Sequence, residues 1–350
     1  MVVTACEKRQ LWEQALALLE VIRTKAAAPD AITYNAAISA CEKGRQPRQA
    51  LRLFDEMKQS HLAPDVVTCG AVISACEKGG DWEVALHVLG TMPELVVAPN
   101  VISCSAAISA CEKGKQPDKA LALLGQLLNQ TLEPDLIVMN SVISACEKGL
   151  LWERVVDLLS DLGKKHMGED EISYNAAISS LEKGMQWRLA LLGLAGMPPR
   201  KLRPDDISHN AALSACEKCG QWRHALGLLA ELWQQRLEVG LVTYNAAISA
   251  CEKGGRQEHS VALLQDLQQQ ELQPSTVTYS AVASATKRHR QWQLALAILA
   301  EMRDRRVEAD ITLLSTMVSA CEASGQHQFV FAVLEDVQGS SVIGCHIAQK

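Results

Sequence analysis

Residues 31–65 read AITYNAAISACEKGRQPRQALRLFDEMKQSHLAPD, and this stretch decides the fold because the chain repeats it. The string Ala-Cys-Glu-Lys returns at intervals of 35 residues or a multiple of 35, without an insertion or deletion. It occurs at 5–8, 40–43, 75–78, 110–113, 145–148, 215–218 and 250–253. Such a period is typical of a repeat architecture in which each repeat packs on its neighbours.

The period divides the 350 residues into three parts. Residues 1–30 form a truncated first repeat, 31–310 hold eight complete repeats, and 311–350 form a degenerate C-terminal capping repeat with a tail. The complete repeats are 31–65, 66–100, 101–135, 136–170, 171–205, 206–240, 241–275 and 276–310. Because the first repeat starts in mid-unit, the sequence is typical of a fragment or a truncated gene model, and we expect that a targeting peptide and further repeats could have been lost.

Each complete repeat predicts two short helices. In the first one, Asp30 suits an N-cap, and helix A runs roughly from Ile32 to Lys43. Gly44 suits a left-handed helix stop, and helix B begins near Pro47, since proline is tolerated in a first turn. In most other repeats a tryptophan takes the place of that proline: Trp12, Trp82, Trp152, Trp187, Trp222 and Trp292. Helices of about 12 residues are unstable alone, so the pattern predicts an all-α fold, a right-handed α-solenoid of about nine to ten stacked helix-turn-helix units.

Composition agrees with this fold and excludes several classes of protein. Apolar residues make up 48% of the chain and aromatic residues only 4%, which favours closely packed helices over a β-sandwich. The net charge of −6 excludes a protein that coats nucleic acid by bulk positive charge, although a local basic stripe stays possible. No stretch approaches 18 consecutive apolar residues, so we expect no membrane span, and neither a signal nor a transit peptide is visible.

The twelve cysteines follow the repeat rather than a disulfide pattern. Eight of them fall on the 35-residue grid: Cys6, Cys41, Cys76, Cys111, Cys146, Cys216, Cys251 and Cys321. Equivalent positions of a repeat do not pair within that repeat. We therefore expect small buried side chains in a reducing compartment.

Helix A has two different faces at about 100° per residue. The fourth, seventh, eighth and eleventh residues, for example Tyr34, Ala37, Ile38 and Cys41, predict a core stripe. On the opposite arc, the second residue is always Ile or Val: Ile32, Val67, Ile102, Ile137, Ile172, Ile207, Val242 and Val277. The ninth residue is always serine: Ser39, Ser74, Ser109, Ser144, Ser179, Ser214, Ser249 and Ser284. The thirteenth is always a cation: Lys43, Lys78, Lys113, Lys148, Lys183, Lys218, Lys253 and Arg288.

Stacked helices turn each of these positions into a row, with neighbours about 8–10 Å apart. A row of cations suits the phosphates of a single nucleic-acid strand, and a row of aliphatic side chains suits the faces of bases. However, each of these lysines follows a glutamate, as in Glu42-Lys43, so the pair could be a solvated, charge-neutral helix end. Recent duplication also explains much of the recurrence, and periodicity alone leaves nucleic-acid binding, peptide binding and a purely structural scaffold open.

The repeats resemble the pentatricopeptide repeat family, in a P-type array. The features that carry the resemblance are the 35-residue length, the Val/Ile-Thr/Ser-Tyr-Asn opening at 32–35, 172–175 and 242–245, and the glycine after helix A. The Ala-Leu-x-Leu-Leu type of helix B and the Pro-Asp ending at 64–65, 134–135 and 204–205 also match. The Trp-Leu-Gly-Tyr pattern of the 34-residue tetratricopeptide repeat is absent. The resemblance covers nearly the whole chain and implies sequence-specific binding of single-stranded RNA in an organelle, with one base per repeat.

The resemblance also implies which residues select the base: the fifth and the last residue of each repeat, with the second residue sandwiching the base. Asn35 with Asp65, Asn140 with Asp170, and Asn175 with Asp205 imply uracil; Gly70 with Asn100 implies adenine; Ser105 with Asp135 and Ser280 with Asp310 imply guanine; Asn245 with Ser275 implies cytosine; Asn210 with Gly240 implies only a pyrimidine. The implied RNA is 5′-UAGUUYCG-3′, where Y is a pyrimidine. The two positions vary while their surroundings barely change, and we expect no structural need for this variation.

The sequence predicts no chemistry of its own and no cofactor. Cys216 and Cys219 form a Cys-x-x-Cys, but Cys216 is the repeat cysteine and no His-x-Glu accompanies the pair, so a deaminase-type zinc site is not expected. We expect a monomer that binds RNA, with partner proteins of RNA processing, stability, editing or translation. By resemblance it works in an organelle, a chloroplast rather than a mitochondrion. The alternative is a protein-interaction scaffold that holds an extended peptide in its concave groove.

Overall fold

The structure is a computed structural model that describes residues 11–24, 29–130, 132–164, 168–288 and 291–325. Within these ranges there are eighteen α-helices and no strand. The helices are α1 (Trp12–Thr24), α2 (Ala31–Lys43), α3 (Pro47–Gln59), α4 (Val66–Gly79), α5 (Trp82–Thr91), α6 (Val101–Lys113), α7 (Pro117–Asn129), α8 (Leu136–Lys148), α9 (Trp152–Lys164), α10 (Glu171–Lys183), α11 (Trp187–Gly196), α12 (Asp206–Lys218), α13 (Trp222–Gln234), α14 (Leu241–Lys253), α15 (Gln257–Gln269), α16 (Thr276–Arg288), α17 (Trp292–Asp304) and α18 (Ile311–Ala323). Even numbers are therefore the predicted A helices and odd numbers the B helices.

The helices pack in the same way in most repeats. The chain divides into two compact halves, Met1–Ser180 and Leu181–Lys350. In the first half α2 packs against α3 and also against the next A helix, α4; in the second half α14 packs in the same way against α15 and α16. Most B helices also contact the A helix that follows, as α3 contacts α4. Each half is thus a stack of helical hairpins, which confirms the predicted all-α solenoid.

The predicted core stripe of helix A is buried. Tyr34 is 2% exposed, and Ala37, Ile38 and Cys41 are fully buried. The grid cysteines of the described residues are free thiols with no exposed surface: Cys41, Cys76, Cys111, Cys146, Cys216, Cys251 and Cys321. Burial raises the pKa of the Cys41 thiol to about 11 and that of Cys76 to about 12. Cys6 and the Ala-Cys-Glu-Lys string at 5–8 lie outside the described residues.

Glycine follows helix A for a different physical reason from the predicted left-handed turn. Gly44 has φ −78°, so it is not left-handed; the left-handed residue is the next one, Arg45, with φ 54°. A Cβ added to Gly44 would lie 2.4 Å from Cδ1 of Trp12. A Cβ at Gly114 would come within 2.2 Å of the same atom of Trp82. Glycine is needed here because the first side chain of the preceding B helix packs directly on this backbone.

Two B helices end early. Both α5 and α11 have 10 residues, whereas the other B helices have 13. Each is followed by a 3₁₀ turn, Pro93–Leu95 or Pro198–Arg200, because proline has no N–H with which to continue the helix. No described helix has both the length and the apolar surface needed to cross a bilayer. Residues 326–350, which include the second half of the predicted capping repeat, lie outside the described residues.

Candidate functional site

A row of exposed aliphatic side chains runs along the A helices. The second residue of each complete repeat lies in the first turn of its A helix, on the opposite side from the buried fourth residue. These side chains are between 63% and 74% exposed: Ile32, Val67, Ile102, Ile137, Ile172, Ile207, Val242 and Val277. We call them the aliphatic row. Exposed apolar residues that lie together on one surface mark a site for binding a partner. A face that only meets water does not need them.

The last residue of a repeat is the N-cap of the next A helix. Asp65 Oδ1 accepts a hydrogen bond of 2.7 Å from the backbone N of Thr68. Asn100, Asp135, Asp170, Asp205 and Asp310 cap their helices in the same way, at 2.8–2.9 Å. Burial acts to raise the pKa of Asp65, but the hydrogen bonds from the Thr68 backbone and hydroxyl outweigh it, so the pKa is lowered. The expectation that this position has no structural need was therefore wrong.

The fifth and last residues of a repeat meet although they are 30 residues apart. Asn140 Nδ2 donates a hydrogen bond of 2.8 Å to Oδ2 of Asp170, whose Oδ1 caps the next helix. Asn35 Nδ2 approaches Oδ2 of Asp65 at 3.5 Å. One carboxylate thus serves two purposes, one oxygen for the cap and the other for the asparagine. In the same position of the other repeats the fifth residue is half-buried: Gly70, Ser105, Asn175, Asn210, Asn245 and Ser280.

The remaining predicted base-selecting residues have their places at the same junction. Gly240 precedes its helix without a side-chain cap, while Ser275 Oγ lies 3.4 Å from the backbone N of Thr278. Asn175 belongs to the first compact half and Asp205 to the second. The other seven pairs lie where one A helix begins beside the previous one.

The cations at the thirteenth position form ion pairs. Lys148 Nζ lies 2.8 Å from Oε1 of Glu112, the twelfth residue of the preceding repeat. The same oxygen accepts a 2.9 Å hydrogen bond from Ser144, a ninth residue. Equivalent ion pairs of 2.7–3.0 Å join Lys78 to Glu42, Lys113 to Glu77, Lys218 to Glu182, and Lys253 to Glu217.

This pairing places a negative charge beside five lysines of the cation row. The five lysines remain 36–44% exposed, while the glutamates are 19–22% exposed. Each of these five lysines therefore has a negative partner in the preceding repeat while its side chain stays partly exposed. Lys43 and Lys183 also have polar or electrostatic contacts. The side chain of Arg288 lies outside the described residues.

Sequence reasoning missed two positions of this surface. The glutamate at position twelve was read only as a neighbour of the lysine in its own helix, but it binds the serine and the lysine of the next repeat. The residue at position three, threonine or serine in most repeats, was read only as part of a family motif. Its hydroxyl contacts the fifth residue of the preceding repeat in three places. The signal for both was present, since a polar residue recurs at these positions at fixed spacing.

The two cysteines of the Cys-x-x-Cys, Cys216 and Cys219, lie in other surroundings than those of a zinc site. Cys216 is fully buried, while the thiol of Cys219 donates a hydrogen bond of 3.3 Å to the carbonyl oxygen of Met185. In the part of the chain that the structure describes, no group of three or more His, Cys, Asp or Glu side chains could hold a metal ion.

Models of one family match three parts of the chain. The model described as PPR repeat family matches residues 29–78, the pentatricopeptide repeat domain model matches 262–323, and the PPR repeat model matches 67–95 and 207–237. No curated protein matches the sequence at a significant level.

Solved structures show the same fold. The crystal structure of the pentatricopeptide repeat protein PPR10 from maize aligns with a TM-score of 0.71 at 22% identity, covering 97% of this chain and 48% of that one. The structure of PPR10 in complex with an 18-nt psaJ RNA element aligns with a TM-score of 0.52 at 21% identity, covering 97% and 53%. The chain therefore spans about half the length of these two solved structures.

Proposed function

Since this chain is a pentatricopeptide repeat protein, we propose that it binds single-stranded RNA sequence-specifically, one base per repeat, without catalysis of its own. The observation that carries the proposal is the junction between A helices. There an exposed aliphatic residue such as Ile137 stands beside a hydrogen-bonded pair, Asn140 with Asp170. The exposed aliphatic residue recurs once in each complete repeat, as a reader of successive bases requires.

The chemistry of the junction suits a base. Sequence-specific RNA recognition uses unstacked bases whose faces pack on side chains and whose edges form hydrogen bonds. Members of the aliphatic row offer flat apolar contact to a base face. The amide of asparagine both donates and accepts, so it can match the edge of a pyrimidine, whereas the smaller serine at Ser105 or Ser280 leaves room for a purine. The solved complex of PPR10 with an RNA element supports this use of the fold.

The proposed ligand is 5′-UAGUUYCG-3′, bound by a monomer. The cations at position thirteen, Lys43 to Arg288, would approach the phosphates from their places beside the glutamates. The protein would act in an organelle, a chloroplast rather than a mitochondrion, by masking a site, remodelling RNA or recruiting a protein of RNA processing, stability, editing or translation.

The test is a fluorescence-anisotropy titration of the chain with 5′-UAGUUCCG-3′ and with a scrambled RNA of the same composition, at two salt concentrations. We expect tighter, salt-sensitive binding of the first RNA. Equal binding of both would overturn sequence specificity, and binding of neither would favour the peptide scaffold.

A substitution tests the assignment of one base. Asn140→Ser should shift the preference at the fourth base from uracil toward guanine. The matched control is Asn129→Ser, the same change at the exposed end of the B helix α7. An unchanged preference at the fourth base in Asn140→Ser would refute the assigned base positions.

A further inference from the structure

The third residue of three repeats holds the fifth residue of the repeat before it. Thr243 Oγ1 donates a hydrogen bond of 2.8 Å to Oδ1 of Asn210. Thr278 Oγ1 does the same to Asn245, at 2.6 Å, and Thr68 to Asn35, at 2.6 Å. In each case the asparagine amide is held by its oxygen. Its N–H groups are then the part that is left to face a ligand.

The arrangement differs where serine takes the place of threonine. The hydroxyl of Ser173 contacts Asp170, at the backbone oxygen (3.2 Å) and at the carboxylate. Oδ1 of Asn140 is buried and accepts no hydrogen bond from the described residues. This asparagine is held instead by its nitrogen, which donates to Asp170 at 2.8 Å. The comparable distance from Asn35 to Asp65, where threonine holds the oxygen, is 3.5 Å.

The methyl group of threonine explains the difference. A β-branched side chain has few allowed χ1 rotamers in a helix, so the hydroxyl of a buried threonine such as Thr68 is fixed in direction. This hydroxyl also lies 2.8 Å from Oδ1 of Asp65, so it bridges the helix cap and Asn35. Serine lacks the restriction, and among the described residues the hydroxyl of Ser173 contacts the helix cap alone, as short polar side chains do at helix starts. The direction of the hydroxyl then decides which end of the asparagine amide is used inside the protein.

We propose that the third residue of the following repeat is a specificity-determining positioning residue for the asparagine that reads the base. This inference rests on the proposed function. Threonine takes the amide oxygen and leaves donors for the base, which suits the N3 acceptor of cytosine as well as the carbonyl oxygens of uracil. Serine leaves the amide oxygen without a hydrogen-bond donor, so the side chain of Asn140 can turn this oxygen from its buried position toward the base. There it accepts the N3–H of uracil, which cytosine does not have. A serine therefore sharpens the choice of uracil over cytosine, and a threonine relaxes it.

Reciprocal substitutions test this inference. Ser173→Thr should lower the ratio of affinities for uracil over cytosine at the fourth base by about three- to tenfold, the value of one hydrogen bond. Thr68→Ser should raise the corresponding ratio at the first base by a similar factor. Each variant should leave the base read by the other site unchanged. The measurement is anisotropy with 5′-UAGUUCCG-3′ and with its single uracil-to-cytosine variants at the first and fourth bases.

Thr68→Val separates the hydrogen bond from the shape of the side chain. Valine keeps the methyl groups and removes the donor, so it should act on the first base like Thr68→Ser. A value equal to that of the unmodified chain would overturn the inference, and so would unchanged ratios in both reciprocal variants while that chain still prefers uracil. If the unmodified chain shows no preference at either base, the proposed function itself fails, and the inference with it. Thermal unfolding of each variant shows whether an altered ratio reflects a damaged fold.

Discussion

Neutralising one of the glutamates that pair with the lysines at position thirteen should strengthen RNA binding. In Glu112→Gln the Oε1 acceptor for Ser144 is kept, while the negative charge that lies 2.8 Å from Lys148 Nζ is removed. The lysine then carries an uncompensated charge on the face of the aliphatic row. Since the pair is more than one-third exposed on the lysine side, its loss should cost at most about 0.5 kcal/mol of folding free energy.

The magnitude follows from screened electrostatics. A unit charge about 6 Å from a phosphate contributes roughly 0.7 kcal/mol in water, and salt reduces this value over a Debye length of about 10 Å at 0.1 M. We therefore expect a two- to threefold higher affinity at low salt. If the lysine then neutralises one more phosphate, the slope of log K against log salt should become steeper by about 0.7.

The assay is an anisotropy titration at four salt concentrations with 5′-UAGUUCCG-3′ and with its scrambled version. Both affinities should rise together, because a phosphate contact carries no sequence information. The matched control is Glu153→Gln, the same loss of charge at the exposed start of the B helix α9. An unchanged slope in Glu112→Gln, or an equal gain in the control, would refute the reasoning that the glutamate restrains the lysine.

Three further predictions concern stability. Gly114→Ala should lower the free energy of unfolding in urea by about 1–3 kcal/mol, because its Cβ would lie 2.2 Å from Trp82. Gly125→Ala, in open space on a helix, should raise this free energy by up to about 1 kcal/mol. Equal effects of the two substitutions would contradict the packing account. Asp135→Ala should cost about 1 kcal/mol in the same assay, because the cap on the backbone N of Val138 is lost; no change would show that water replaces it. Burial raises the pKa of the Cys76 thiol from 9.0 to about 12, so its stabilising contribution should be complete below pH 9 and be lost as the pH rises toward 12. Between pH 8 and pH 10, the free energy of unfolding in urea should fall less in Cys76→Ala than in the unmodified chain. An equal fall in both would refute this contribution of Cys76.

Helix positions were predictable from the sequence because the period fixes them. The predicted start of helix A at Ile32 differs from the observed start at Ala31 by one residue, and Pro47 begins helix B as expected. The direction of side chains was also predictable, since the 3.6-residue period puts Tyr34 inside and Ile32 outside. A fold made of identical local units leaves little for long-range contacts to decide.

Contacts between repeats were harder to predict. Glu112 and Lys148 are 36 residues apart, and only the stacking of two A helices brings them together. Within one helix the glutamate–lysine neighbours looked like a single pair, while the structure joins five of the lysines to the glutamate of the repeat before. In the same way, the conflict between Trp82 and a Cβ at Gly114 depends on the packing distance, so the sequence suggested a left-handed turn instead.

The capping role of the last residue restricts the residue types that this position can accept. A good N-cap is Ser, Thr, Asp, Asn or, at small cost, Gly, and the eight residues found here are six acids or amides of that kind together with Ser275 and Gly240. A substitution that changes the residue type at this position also changes the start of a helix. Only a few residue types are therefore compatible with a stable array. An engineer who rewrites this position with Leu or Lys would be expected to lose a helix end at each repeat, and the loss would accumulate along the array. Helix capping therefore limits the residue types at the last position of each repeat before any requirement of a ligand acts on them.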